Sequence, residues 1–325
     1  MKTNHHIRLY GILVVLAVSV AVFYSCRKTD KPQQKTITRT ISTEDGYDLR
    51  INEAGQLDGI PVLVLHGTPG SKLLSPALVD DARAQGIRLI SYDRPGYGGS
   101  TPRPGRNVAS AASDVSAIAQ QLNLERVLVW GVSGGGPHAL ACAALLPDLV
   151  VAVAAVASVA PYQAEGLDWL AGMGEDNLIE FGAALDGRDS LVQFIEAVSP
   201  GFLSTDPADL VEAMSSLLCP ADLDVLSEDY AIFMLQKISE GIKERRDGWI
   251  DDDLAFITPW GFDLNQIQIP MLLLHGEQDQ FVPFSHGQWL SSKIPNVNVR
   301  FSADDGHLSL QNRISEVHKW LISKM

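Results

Sequence analysis

The chain alternates between runs of apolar residues and stretches with helical periodicity. The segments Thr36–Ser42 and Tyr47–Asn52 alternate around Glu44-Asp45-Gly46, which predicts an antiparallel hairpin. Later runs are continuously apolar, which is typical of strands covered by helices on both faces. These later strands are expected, in chain order, at Pro61–Leu65, Arg88–Tyr92, Val127–Val132, Leu149–Val159, Pro270–His275 and Val297–Ser302.

Helical patterns lie between these strands, with apolar or small residues at helical spacing. They are expected at Ala77–Gln85, Val108–Leu122, Ala139–Leu146, Phe284–Lys293 and Leu308–Lys324. Strands that alternate with helices predict an α/β fold with a mostly parallel, doubly wound sheet.

One long segment departs from this alternation. From residue 164 to residue 258 the chain is rich in Asp, Glu and Leu at helical spacing and has few strand-like runs. We interpret it as a helical cap inserted between two strands of the sheet. The core of the fold is then expected at residues 35–163 and 259–325.

The N-terminus carries an apolar run of sixteen residues, Leu9–Tyr24, after Lys2 and Arg8. This is short for a membrane span and typical of a secretory signal. Ser25-Cys26 follows and resembles the lipobox of bacterial lipoproteins, in which the cysteine is acylated. Residues 1–26 are therefore predicted to be a signal peptide with Cys26 as the lipidation site, with an uncleaved membrane anchor as the alternative. With either alternative, the protein is expected to be exported and held at the bacterial cell envelope.

Residues 27–34 are polar, contain Pro32 and are expected to form a linker. The net charge of the whole chain is −14. Such a charge argues against a surface that neutralises nucleic-acid phosphates. The 325 residues are 46% hydrophobic, enough to bury a full core.

The three cysteines, Cys26, Cys142 and Cys219, form no C-x-x-C motif, and no Cys/His cluster has zinc spacing. No metal site is therefore expected. A disulfide between Cys142 and Cys219 is not expected either. The glycine-rich loop Arg94–Gly99 lacks the Gly-Lys-Ser/Thr ending of a phosphate-binding loop, and there is no dinucleotide fingerprint. No cofactor is expected.

The residues Gly131-Val132-Ser133-Gly134-Gly135 match G-x-S-x-G, with a predicted strand before them and a helix after. In such a tight strand-to-helix turn a Cβ two residues before or after the serine would clash. The turn pushes the Ser133 hydroxyl outward and directs the Gly134 N–H toward the same place, at a helix N-terminus that favours negative charge.

A serine hydroxyl becomes a nucleophile when a base takes its proton and an acid orients that base. Asp279 follows the penultimate strand and His307 follows the last, so both are expected at the carboxyl edge of the sheet. Three other carboxylates, Glu277, Asp304 and Asp305, compete with Asp279. The loop pattern that ends in Val282-Pro283 favours Asp279.

From about Thr36 to the C-terminus the chain resembles the α/β-hydrolase superfamily in five motifs. In chain order these are His66–Gly70, Asp93–Ser100, the G-x-S-x-G turn, the Asp279 loop and Gly306-His307. The resemblance implies that Ser133 is the nucleophile, Asp279 the acid and His307 the base. It also implies an oxyanion hole made by the backbone N–H groups of Thr68 and Gly134.

The His-Gly-Thr-Pro-Gly loop is similar to that of the capped branch that includes proline iminopeptidases and esterases. We therefore expect hydrolysis of an ester or small amide substrate through an acyl-enzyme. An iminopeptidase-type aminopeptidase is one alternative, with Glu165, Glu175, Asp176 and Glu180 as candidates to hold an amine. A non-catalytic, surface-anchored binding protein is another. His66, His138 and His275 are expected to be structural. His286 lies in a predicted helix past the Asp279 loop, and His5 and His6 lie in the predicted signal.

Overall fold

The computed structural model describes residues 36–325. The predicted signal or anchor, the lipidation site Cys26 and the linker lie outside the described residues. Within the described part, eight strands form one sheet in the order β1-β2-β4-β3-β5-β6-β7-β8. The strands are β1 Ile37–Ser42, β2 Asp48–Gly55, β3 Ile60–Leu65, β4 Ile87–Tyr92, β5 Val127–Val132, β6 Val150–Val156, β7 Met271–Gly276 and β8 Asn298–Ser302.

The sheet is mostly parallel, as the sequence predicted. All neighbouring pairs from β4 to β8 are parallel, and β2 alone runs against its neighbours on both sides. The predicted hairpin is confirmed: β1 and β2 pair antiparallel, and Gly46 takes the positive φ of +81° that their turn requires.

Helices cover both faces of the sheet. Side chains of β3 alternate between two cores: Leu63 and Leu65 join one cluster, and Val62 and Val64 join the other. This two-sided burial explains why the strand is continuously apolar. The α-helices are α1 Pro76–Ala84, α2 Ser110–Gln121, α3 Gly135–Leu145, α4 Glu175–Leu185, α5 Arg188–Ser204, α6 Leu210–Ala213, α7 Pro220–Val225, α8 Glu228–Ile242, α9 Asp247–Ile257, α10 Phe284–Lys293 and α11 Ile314–Ile322.

Six of these helices, α4 to α9, lie between β6 and β7 in the chain. Part of this insert packs around a small cluster of its own, which includes Leu210, Met214 and Leu235. Other residues of the insert, such as Trp249, join the larger core of the sheet. The domain boundaries assigned from the sequence stay a prediction. None of the helices within residues 36–325 is long and apolar enough to cross a membrane.

Two predicted elements were too long. The strand expected to reach Val159 ends at Val156, because Ala157 takes a left-handed φ of +48° that cannot continue a strand. The helix expected from Leu308 begins instead as a 3₁₀ turn, Ser309–Arg313, and becomes α-helical only at Ile314. The backbone N–H groups of Leu308 and Ser309 donate to the carboxylate of Asp222, which defines the start of this turn.

Candidate active site

Ser133 occupies a strained turn between β5 and α3. Its φ is +55°, and its N–H donates to the carbonyl of Val156 at 2.9 Å. A Cβ on Gly131 would come within 2.1 Å of the Gly135 carbonyl oxygen, and one on Gly135 within 2.2 Å of the Leu65 oxygen. Side chains at these two places are therefore excluded, as the G-x-S-x-G pattern predicts.

His307 and Asp279 are hydrogen-bonded partners. The imidazole Nδ1 lies 2.7 Å from Asp279 Oδ2. Because an ionised carboxylate can only accept, this contact places the proton on Nδ1 and leaves Nε2 as the free acceptor. The other oxygen of Asp279 accepts the N–H groups of Phe281 and Val282 at 2.9 and 2.8 Å. The Phe281 ring stacks on the imidazole at 4.5 Å between centroids.

The pKa of His307 results from two opposing effects. Burial in the cavity wall lowers it, but the charge of Asp279 and its hydrogen bond to the ring favour the protonated form. A further contribution comes from the negative charge of Asp222. The pKa of His307 is therefore raised above its ordinary value.

Ser133 and His307 line the same cavity, whose volume is about 620 Å³. Among the described residues no hydrogen bond joins the Ser133 hydroxyl to the imidazole. Such contacts are often loose before a substrate is bound. Most of the cavity wall is apolar and aromatic, including Phe194, Val198, Phe202, Met214, Leu217 and Phe281.

Thr68 and Gly134 are neighbours in space, and Gly134 follows Ser133 in the chain. A Cβ on Gly134 would lie 2.4 Å from the Thr68 hydroxyl oxygen, and one on Gly67 would lie 3.3 Å from Ser133 Cβ. Within residues 36–325 neither the Thr68 nor the Gly134 N–H donates to a protein acceptor. Both donors are thus available to a ligand at this place.

The competing carboxylates lie elsewhere. Glu277 and Asp304 are exposed. Asp305 accepts from Arg313 Nε at 2.9 Å and from the Ser302 hydroxyl at 2.5 Å, so its oxygens hold together the loop after β8. Of the four candidates, Asp279 is the one that contacts His307.

A buried charge network lies beneath the Thr68 loop, and sequence analysis missed it. Asp252, on α9, is fully buried and accepts the hydroxyl of Thr68 at 2.7 Å and that of Tyr97 at 2.8 Å. Two guanidiniums reach the same carboxylate: Arg94 at 2.5 Å and Arg106 at 2.6 Å. Burial raises the pKa of Asp252, but the two guanidiniums outweigh this and hold it well below its usual range.

The chain has the sequence and fold of a known family. The family model described as the α/β hydrolase fold matches residues 60–312. The chain belongs to the α/β-hydrolase family. It is a hydrolase built on the mostly parallel sheet described above.

Its α/β-hydrolase relatives carry several activities in their names. The chain is 28% identical over 265 residues to a non-heme chloroperoxidase of Streptomyces lividans, covering 78% of this chain and 87% of the relative. It is 26% identical over 247 residues to a bifunctional esterase/perhydrolase of Acinetobacter calcoaceticus, covering 75% and 83%. A thermophilic esterase from Thermogutta terrifontis shares the fold, with a TM-score of 0.64, 21% identity and coverage of 89% and 99%. Proline iminopeptidases are also among the relatives.

The other histidines within residues 36–325 of this α/β hydrolase have protein partners. His66 braces the loop before Thr68: its Nδ1 lies 2.7 Å from the Gly67 carbonyl, and its Nε2 accepts the N–H of Arg94. His275 and His286 contact the carbonyls of Val282 and Trp169, each at 2.8 Å. His138 lies 3.3 Å from Asp252 and so belongs to the buried network.

The cap carboxylates divide into two groups. Asp176 and Glu180 line the cavity of the hydrolase, whereas Glu165 and Glu175 are exposed and do not contribute to its wall. Cys142 and Cys219 are both free thiols. No group of three or more His, Cys, Asp and Glu side chains within residues 36–325 is arranged to hold a metal ion.

Proposed function

We propose that this α/β hydrolase is a serine hydrolase that cleaves an ester or a small amide through an acyl-enzyme. The observation that carries the proposal is the 2.7 Å contact between His307 Nδ1 and Asp279 Oδ2, on the wall of the cavity that Ser133 enters. Because Nδ1 is engaged by Asp279, Nε2 is the nitrogen that we propose as the base.

In the first half of the reaction, Ser133 Oγ attacks the substrate carbonyl carbon while His307 Nε2 takes its proton. The carbonyl oxygen becomes an oxyanion, and the N–H groups of Thr68 and Gly134 donate to it. The carboxylate of Asp279 stabilises the imidazolium. As the tetrahedral intermediate collapses, His307 returns the proton to the leaving alcohol or amine, and the acyl group stays on Ser133.

In the second half, water replaces the leaving group. His307 takes a proton from the water as its oxygen attacks the acyl carbon, and the same two N–H groups hold the new oxyanion. Collapse releases the carboxylic acid, and the proton returns from His307 to Ser133 Oγ. Every proton that leaves a nucleophile is therefore returned to a leaving group.

Labelling with a fluorophosphonate tests the nucleophile directly. We expect the wild type to be labelled at Ser133 and the Ser133→Ala variant to remain unlabelled. p-Nitrophenyl esters of increasing chain length then test turnover. Labelling of a folded Ser133→Ala variant, or ester hydrolysis that survives this change, would contradict the proposal.

An aminopeptidase of the proline iminopeptidase type is the second candidate. Asp176 and Glu180 favour it, because both line the cavity and could accept from a substrate amine. Proline p-nitroanilide distinguishes the candidates, since it requires both amide cleavage and amine binding. We expect esters to be the better substrates, because the cavity wall is mainly apolar. A non-catalytic binding protein is disfavoured, since no residue of the proposed triad has been replaced.

We also propose that the hydrolase is exported and held at the cell envelope by its N-terminus, with acylation at Cys26 preferred to an uncleaved anchor. The support is the sequence alone: an apolar run followed by Ser25-Cys26. Mass spectrometry of the native protein tests it. We expect a processed, acylated N-terminus in the wild type, and Cys26→Ala should abolish both modifications.

A further inference from the structure

One face of helix α8 forms part of the cavity wall and carries a cation. Phe233, Met234 and Ile238 line the cavity, and Lys237 lines it with them. Their spacing along the helix places all four on one face, and the neighbouring Gln236 points to solvent. The amphipathic pattern of α8 favours an apolar residue at position 237, so the lysine departs from the pattern at the site itself.

The position of this lysine relative to the catalytic loop is held by the backbone. The hydroxyl of Ser71 donates to the carbonyl of Lys237 at 2.7 Å. One turn further on, Glu240 accepts from Lys72 at 3.0 Å, and the Gly241 carbonyl accepts the N–H of Gly98 at 2.8 Å. Helix α8 is therefore attached to the chain segment that follows Thr68.

Lys237 lacks an anionic partner in the described part of the chain. Its ammonium lies 6.0 Å from the centre of the Phe233 ring, and within residues 36–325 it forms no salt bridge or hydrogen bond. Burial, followed by the positive charge of Arg94, lowers its pKa to about 8, and no carboxylate opposes this shift. Arg94 itself is neutralised by Asp252.

The carboxylates of the cavity wall have other partners. Glu180 accepts from Trp249 Nε1 at 2.6 Å, and burial raises its pKa. Asp176 accepts the hydroxyl of Ser216 at 2.6 Å. The third carboxylate of the wall, Asp81, lies 2.6 Å from His318 Nδ1. Within residues 36–325 none of the three forms a salt bridge with Lys237.

We propose that Lys237 binds a carboxylate of the substrate, away from the bond that is cleaved, and makes the enzyme selective for anionic esters. The proposal rests on the proposed serine hydrolase function. A carboxylate enters an apolar cavity at a high desolvation cost unless a cation is there to pair with it. The ammonium of Lys237 provides that partner, and a bound carboxylate in turn satisfies an otherwise unpaired ammonium.

Two matched sets of esters test the proposal. The p-nitrophenyl monoesters of adipate and suberate, compared with p-nitrophenyl heptanoate and nonanoate, place a carboxylate on the acyl side. The butyrate ester of 4-hydroxybenzoate, compared with phenyl butyrate, places it on the alcohol side. In at least one of the two sets, the kcat/KM of the wild type should be about tenfold or more higher for the anionic ester than for the neutral one. This is the effect expected of one hydrogen bond to a charged group.

The variant Lys237→Met should lose this preference while keeping its activity on the neutral esters within a few-fold, and Lys237→Arg should retain most of it. Lys293→Met is the matched control, since Lys293 is exposed on α10, and it should behave as the wild type does. A wild type without charge preference in either set would overturn the proposal, and so would a preference that survives in Lys237→Met.

A binding measurement separates failure of this proposal from failure of the hydrolase function. The Ser133→Ala variant cannot form the acyl-enzyme, so a ligand can be studied without turnover. Monomethyl adipate should raise its thermal unfolding midpoint more than methyl heptanoate does, and Lys237→Met on this background should remove the difference. If the wild type showed neither fluorophosphonate labelling nor turnover, the hydrolase function alone would be refuted. If both ligands raised the unfolding midpoint of Ser133→Ala equally, the role of Lys237 would be refuted.

Discussion

The carboxylate of Asp222 accepts the backbone N–H of His307 at 3.2 Å, although the two residues are 85 positions apart in the chain. The same carboxylate accepts the N–H groups of Leu308 and Ser309 at 2.7 and 2.9 Å. Asp222 is fully buried on α7 of the helical insert. Through Asp222 the insert therefore contacts the loop of the proposed base and holds that loop in place.

This relationship predicts that Asp222→Asn impairs catalysis through His307. An asparagine keeps one acceptor but loses the charge, so the loop should loosen and kcat should fall. Because the negative charge of Asp222 helps to raise the pKa of His307, its loss should move the acid limb of the pH–rate profile to lower pH. We expect stability to fall by about 1–3 kcal/mol as well.

Asp224→Asn is the matched control, because Asp224 lies on the same helix and is exposed. It should leave the profile and the stability unchanged. A folded Asp222→Asn variant with lower activity but an unshifted acid limb would show that Asp222 acts on loop geometry alone.

Substitutions of the three proposed catalytic residues should lower kcat in a non-additive way. Ser133→Ala and His307→Ala should each remove nearly all turnover. Asp279→Asn should lower kcat on the order of 10⁴-fold, because the amide stabilises the wrong imidazole tautomer. Removing a second member should then matter little.

The choice of acid is tested by measuring kcat for the same change at its neighbours. Asp304→Asn should be within a few-fold of the wild type, because that side chain is exposed. Asp305→Asn should act mainly on stability, since it loses part of its contacts to Ser302 and Arg313. If Asp279→Asn kept near-normal activity and Asp305→Asn were inactive, Asp305 would have to be assigned as the acid instead.

The pH dependence of activity follows from the raised pKa of His307. The imidazole must be neutral to accept the serine proton, so kcat/KM should rise with pH through a single ionisation. The midpoint should lie above about 6.5, the usual value for histidine. A steady-state profile on a neutral ester, which avoids substrate ionisation, measures it. A midpoint well below 6.5 would mean that burial outweighs Asp279 in the free enzyme.

The positions of the three proposed catalytic residues could be predicted from sequence motifs and strand order. The G-x-S-x-G pattern was sufficient to place Ser133 in a strained turn, because the contact that requires a glycine at position 131 is with the backbone of Gly135, four residues away. The glycine at position 135 is required by the distant backbone of Leu65, but the pattern includes that position as well. The positions of Asp279 and His307 after consecutive strands predicted that they would meet, since the ends of parallel strands lie at one edge of the sheet.

The buried carboxylates of the insert could not be predicted in the same way. Asp222 and Asp252 lie in helical sequence rich in acidic residues, where such side chains are typical of a solvated face. Their partners are distant in the chain: 184 residues separate Asp252 from Thr68. The end of β6 was also missed, because nothing in the sequence marks Ala157 for a left-handed conformation.

Asp252 joins the helical insert to the loop of Thr68, a proposed oxyanion-hole residue. Asp252→Asn would leave Arg94 and Arg106 buried without their counter-charge, and breaking such a network costs about 3–5 kcal/mol. The loop that carries Thr68 should shift with it, so kcat should fall by on the order of 10²–10³, as for loss of an oxyanion donor. Chemical denaturation and ester kinetics measure the two effects.

Two further variants separate charge from hydrogen bonding. Thr68→Ala keeps the backbone N–H but removes the hydroxyl that donates to Asp252, so it should cost only about 1 kcal/mol of stability and leave kcat within a few-fold of the wild type. Asp251→Asn removes a buried carboxylate on the same helix whose guanidinium partner, Arg188, remains solvated, so it should be milder than Asp252→Asn. If Asp252→Asn were no worse than Asp251→Asn in either measurement, the network would not be what holds the Thr68 loop in place.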